Sequence, residues 1–190
     1  MNIGIYLYPN AEELDWAGPW EVLSAWARGW EEDAVSCFTV ADGEGPVTCA
    51  KGLRVLADHT WQTAPPIDVL LVPGGDARGP KANTALLTRI RTLHERGTLI
   101  TSVCTGAFVL QAAGVLSGIP ATTHWRSMDR LRALGVEVRD QRFVDAGSVI
   151  TSAGVSAGID MALHLVARLH SVERAKEVRR YIQYDPEPPI

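Results

Sequence analysis

Two aliphatic runs in the middle of the chain limit most severely what it can fold into: "IDVLLVPGG" (67–75) and "TLITSVCTG" (98–106). Each has too many apolar residues in succession for a strand with one wet face, and each stops at small residues. Each therefore predicts a parallel strand buried on both faces and ending at a sharp turn. Between them "NTALLTRIRTLHERG" (83–97) has helical period and closes at Gly97, and "TGAFVLQAAGVLSG" (105–118) reads as the next helix. Strand and helix alternating in this way build βαβ units, so the middle of the chain is α/β with a mainly parallel sheet.

The flanks extend the pattern. "IGIYLY" (3–8) reads as a buried strand, "GPWEVLSAWARGW" (18–30) as a helix with Pro19 in its first turn, and "AVSCFTVA" as a second strand. "PVTCAKGLRVLAD" (46–58) predicts a hairpin around Lys51 and Gly52, and "RFVDAGSVITSAG" (142–154) one that turns at Ala-Gly. "RSMDRLRALG" (126–135) predicts a surface helix and "AGIDMALHLVARLH" (157–170) a helix with one apolar face, while the proline-rich "YDPEPPI" is expected to lie extended on the surface. With 190 residues, 46% hydrophobic and 21% charged, and no repeat or low-complexity linker, the expectation is one domain over 1–190.

Net charge of −4 and scattered Lys and Arg give no broad basic surface for nucleic acid or anionic lipid, which leaves a small-molecule partner as the expectation. "MNIGIYLYPN" has neither a basic leader nor a cleavable apolar run, and no run of about 18 apolar residues occurs, so a cytoplasmic location is expected. Cys37, Cys49 and Cys104 have no Cys-x-x-Cys spacing, and no G-x-G-x-x-G or P-loop follows a strand. No disulfide framework, metal or cofactor is expected.

Three features could carry chemistry. Cys104 stands where a strand ends and a helix begins, where the helix dipole and free amides favour thiolate and where open α/β sheets bind ligands. It reads as a nucleophile at an elbow, or as a small buried hydrophobe. Cys37 and Cys49 read as structural. Gly74 and Gly75 end the neighbouring strand, and their amides with that of Thr105 could form an oxyanion hole, or simply a turn. Asp15 is expected in the loop at the carboxyl edge of the sheet and Glu21 at a helix start; an Asp15 close to Cys104 would share one proton with it. His124 is the imidazole that could assist a catalytic thiol.

Taken together, "LDWAGPWEV", "VLLVPGG", "VCTGAFVLQAAGVLSGIPATTHW" and "ITSAGVSAGIDMALHLV" resemble, in order and spacing, the ThiJ/PfpI family of the class I glutamine amidotransferase-like superfamily. The resemblance covers nearly the entire chain, including "IQYDPEPPI", and within the family it is nearer to isonitrile hydratases and to the sensor domains of AraC-type regulators. It implies a flavodoxin-like three-layer sandwich, a homodimer, and an aspartate, a cysteine and a threonine that map onto Asp15, Cys104 and Thr105. His124 matches a family histidine of less certain role, and the family's TGG before the last long helix stands here as "TSAGVSAGID". The activity so implied is hydration of an isonitrile to a formamide. Trp16, Trp20 and Trp125 would line an apolar pocket for the N-substituent. The competing readings are a glyoxalase-like or other cysteine-dependent hydrolase, and a ligand- or redox-sensing protein. A regulator is disfavoured because no basic helical extension follows residue 190, a glutaminase because no late His-x-Glu pair occurs, and a glyoxalase because an aspartate stands at the first acidic position.

Overall fold

The two aliphatic runs become neighbours at the centre of a seven-stranded sheet in the computed structural model, which describes residues 1–187. The strands are β1 (Asn2–Tyr6), β2 (Ser36–Ala41), β3 (Val47–Thr48), β4 (Arg54–Val55), β5 (His59–Thr60), β6 (Val69–Val72), β7 (Leu99–Val103), β8 (Pro120–Ala121), β9 (Glu137–Val138), β10 (Phe143–Asp145) and β11 (Val149–Ser152). The helices are α1 (Glu13–Gly29), α2 (Arg78–Ala82), α3 (Thr84–Glu95), α4 (Gly106–Ala112), α5 (Met128–Arg132), α6 (Ala157–Leu169) and α7 (Val172–Tyr181). The main sheet runs β10-β11-β7-β6-β1-β2-β5, parallel except for the β10–β11 hairpin. Every residue of β6 and β7 is buried, because α1, α6 and α7 pack together as one layer and α2, α3 and α4 as another.

From β1 the chain steps through β2 to β5 on one side, then returns to β6 on the other side of β1 and continues to β7 and β11. The reversal between β1 and β6 is a topological switch point, and the carboxyl ends of β1, β6 and β7 open side by side there.

The hairpin around Lys51 and Gly52 forms as β3–β4, and Ala146-Gly147 turns the β10–β11 hairpin. The first helix differs from expectation. It opens at Glu13, not Gly18, and Pro19 lies inside it rather than in its first turn. Pro19 cannot donate to the carbonyl of Asp15, yet its ring is buried at Gly158 of α6, and that packing outweighs one missing hydrogen bond. Asp15 is consequently a first-turn helical residue and not a loop residue. Glu13 and Asp15 are the acids at the helix start, whereas Glu21 sits exposed in its middle. Helix α4 ends at Ala112, and α2 and α7 add to the expected set. Of "YDPEPPI", Tyr184 hydrogen-bonds Asp160 and its carbonyl accepts from Arg179; residues 188–190 lie outside the described residues. No helix among the described residues is long and apolar enough to cross a membrane.

Candidate active site

Cys104 follows β7 directly and has φ +57°, a left-handed conformation that costs a residue with a side chain about 1 kcal/mol. The neighbouring strand end and a threonine hold it there. Its N–H donates to the carbonyls of Ser152 and Ala153, both at 3.0 Å, and its carbonyl accepts from Thr123 Oγ1 at 2.7 Å. The turn lifts the thiol off the sheet edge and into the switch-point cleft.

Asp15 reaches the same place from α1 and is fully buried. Its Oδ2 accepts the Gly74 N–H at 2.9 Å, while Oδ1 has no hydrogen-bond partner. Burial raises its carboxyl from 3.8 to about 7, the Glu12 charge adds to the rise, and the Gly74 amide and the Cys104 thiol, which donates toward the carboxylate, hold it back. Against the pull of the helix start toward thiolate, burial, then the Asp15 charge, push the Cys104 thiol up, and the opposing pull of the Thr105 N–H and hydroxyl is weaker. The two groups are coupled and share one negative charge.

Thr105 ties the cysteine turn to the glycine turn. Its hydroxyl donates to the Gly75 carbonyl and accepts from the Gly75 N–H, each at 2.9 Å. That arrangement, with Gly74 N–H held by Asp15, corrects the expected oxyanion hole: both glycine amides are already engaged inside the protein. Gly74 and Gly75 therefore build the site rather than bind the reacting group. A Cβ on Gly74 would fall 2.6 Å from Thr105 N and 2.7 Å from both Asp15 Oδ2 and Thr105 Oγ1, so only glycine lets the three segments close.

His124 lies at the edge of this cluster. A Cβ on Gly154 would meet His124 Cδ2 at 2.4 Å and Cys104 Sγ at 3.2 Å, which puts both side chains over the same glycine. The imidazole Nδ1 accepts the Arg126 N–H at 3.3 Å, the ring stacks on exposed Trp125, and no hydrogen bond joins it to the sulfur among the described residues. It walls the cluster at Gly154, next to the sulfur.

Beside Thr105 lies a cavity of about 180 Å³ lined by Gly75, Asp76, Ala77, Arg78, Lys81, Thr105, Phe108 and Arg130. None of the tryptophans expected to form an apolar pocket lines it; Trp16 is buried beside Cys49 and Trp125 is exposed. Phe108 supplies its aromatic wall. A larger hollow of about 490 Å³ at the end of α7 shares no residue with this site. Sequence reading also missed Tyr8, whose buried hydroxyl donates to Gly74 O at 2.7 Å and Pro73 O at 3.1 Å and so pins the glycine turn. A phenol at the end of an otherwise apolar strand was the available signal.

The DJ-1/PfpI family model matches residues 1–168. Isonitrile hydratase of Pseudomonas putida is 38% identical over 191 residues, covering 100% of this chain and 81% of that protein. The HTH-type transcriptional regulator CdhR of Pseudomonas aeruginosa is 34% identical over 140 residues, which span 73% of this chain and 41% of the regulator. A crystal structure of a ThiJ/PfpI family protein from Pseudomonas syringae superposes with a TM-score of 0.90 at 33% identity, over 100% of this chain and 77% of the other.

Proposed function

We propose, from the premise that the chain belongs to the DJ-1/PfpI family, that it is an isonitrile hydratase converting an isonitrile and water to an N-substituted formamide. The observation that carries this reading is the juxtaposition of a buried, unpaired Asp15 oxygen with the Cys104 thiol. An isonitrile carbon accepts a nucleophile only as it accepts a proton. The Asp15 carboxylate takes the thiol proton and delivers it to that carbon while Sγ adds to it, giving a thioimidate with Asp15 a carboxylate again. Asp15 then takes a proton from water as the oxygen attacks the same carbon, and passes that proton to the imidate nitrogen. Collapse of the tetrahedral adduct breaks the C–S bond, and the hydroxyl proton returns to sulfur as the formamide leaves. Thr105, bonded to the glycine turn and facing the sulfur, holds the thiol toward Asp15.

The test is incubation with cyclohexyl isonitrile and detection of the formamide, beside Cys104→Ala and Asp15→Asn. Formamide from the wild type and a loss of at least about a hundredfold in each variant are expected. No formamide across several isonitriles would end this reading, and full activity of Cys104→Ala would remove the covalent step. A redox-sensing role is less well supported, because the thiol is only 7% exposed.

A further inference from the structure

We infer that the N-substituent of the substrate carries a carboxylate, held between Lys81 and Arg130 at the mouth of the site. The inference rests on the hydratase reading for the reactive end of the molecule and on the cavity for the other end. An isonitrile is linear at its carbon and nitrogen, so with the carbon at Sγ the substituent projects away from the sulfur. Cys104 does not itself line the 180 Å³ cavity, but Thr105 touches the sulfur and lines that cavity, and the inference places the substituent there.

Two helices bring cations to that space and a third brings an aromatic ring. The Lys81 ammonium from α2 lies 5.8 Å from the centroid of the Phe108 ring of α4, and the Arg130 guanidinium from α5 lies 5.1 Å from the same centroid. Neither has a carboxylate partner among the described residues, whereas Arg78 on the same wall is neutralised by Asp76 through two contacts of 2.8 and 2.7 Å. Asp76 is the only carboxylate in the lining, and it is taken. Both cations line one cavity and approach one ring, and the ring offsets only part of the cost of gathering like charges there. An anion between them would remove the repulsion and gain charge-assisted hydrogen bonds from both. An apolar substituent there would make no such bond to either cation. The small volume fits a compact acid, of the size of isocyanoacetate.

Two measurements separate this inference from the reading it rests on. Alkylation of Cys104 by iodoacetate and by iodoacetamide, followed by the mass of the Cys104 peptide, compares reagents that differ in charge and little in shape. The rate ratio of anionic to neutral reagent is expected to fall by on the order of tenfold in the Lys81→Met/Arg130→Met double variant. The second measurement is kcat/KM for isocyanoacetate against its methyl ester, with the acid favoured by about tenfold in the wild type and the preference lost in the double variant. An alkylation ratio equal in wild type and variant, or an ester hydrated as well as the acid, overturns the anion site. A shifted alkylation ratio with no hydration of either isonitrile leaves the anion site standing and removes the hydratase.

Discussion

Replacing Asp15 by asparagine should make the protein more stable with rising pH relative to wild type, because the wild-type carboxylate is buried at a cost. Folding moves this group from 3.8 to about 7, about three units, and at about 1.4 kcal/mol per unit the charged form costs about 4 kcal/mol. Below 3.8 the carboxyl is neutral in both states and nothing is lost. Between 3.8 and 7 the folded chain keeps a proton that the unfolded chain has released, so stability falls as pH rises; above 7 the full cost is present. Asparagine cannot ionise and does not feel this slope. Its amide oxygen can take over the Gly74 N–H, but its NH₂ then occupies the unpartnered position of Oδ1, a cost of about 1–3 kcal/mol that does not vary with pH. Urea unfolding of both proteins at several pH values from about 5 to 8 gives the difference directly. The gap between Asp15→Asn and wild type should move by about 2.5 kcal/mol in favour of the variant over that range, since most of the two units between pH 5 and 7 fall inside it. Parallel pH profiles would mean that Asp15 ionises without penalty, and the shared-proton argument would fail with it.

The same carboxylate sets the expected pH profile of turnover: kcat/KM for an isonitrile should rise with pH as Asp15 loses its proton, levelling above about 7, and a flat profile from pH 5 to 9 would contradict the role of Asp15 as the acceptor of the thiol proton. Gly74→Ala should keep the far-ultraviolet circular dichroism of the wild type and lower kcat/KM by on the order of a hundredfold, since the new methyl pushes Thr105 and Asp15 apart. Cys104→Gly and Cys104→Ala should both be inactive, with the glycine variant more stable in urea by about 1 kcal/mol because glycine accepts φ +57° without strain. Thr105→Val should lose both hydroxyl contacts to Gly75 and lower kcat by on the order of tenfold or more, with rescue in Thr105→Ser.

The central strands and their turns could be read from "VLLVPGG" and "LITSVCTG" because burial on both faces leaves a local trace, an unbroken aliphatic run followed by small residues. Helix α7 left no such trace. "VERAKEVRRY" buries only Val178, so no apolar stripe marks it. The start of α1 was hidden for a different reason: Pro19 has the composition of a helix opening, and only the packing of its ring against α6 shows that it lies in the interior. The error at Asp15 followed from that one, since a residue placed before a helix is read as loop. At Cys104 the dipole of a following helix is visible in the sequence, while burial and the contact with a carboxylate 89 positions upstream are not. Lys81, Phe108 and Arg130 come from three helices, and nothing in one dimension brings them to a single ring.

Several costly features of this protein meet within a few residues. Cys104 is held in a left-handed conformation, Asp15 is buried without a partner for one oxygen, two turns approach so closely that only Gly74 fits between them, and two cations approach one aromatic ring. Elsewhere the sheet and its helices follow the ordinary pattern of buried aliphatic strands under amphipathic layers. A site strained in this way persists because the surrounding sheet over-determines it: the Cys104 amide is fixed by the end of β11, its carbonyl by Thr123, and the glycine turn by Tyr8. In the proposed reaction the raised carboxyl would carry the proton, the elbow would present the sulfur to it, and the unpaired cations would meet the inferred carboxylate of the substrate. Substitutions that relax the site should therefore stabilise the fold and remove activity together, whereas equally stabilising changes in the α6–α7 layer should leave activity alone.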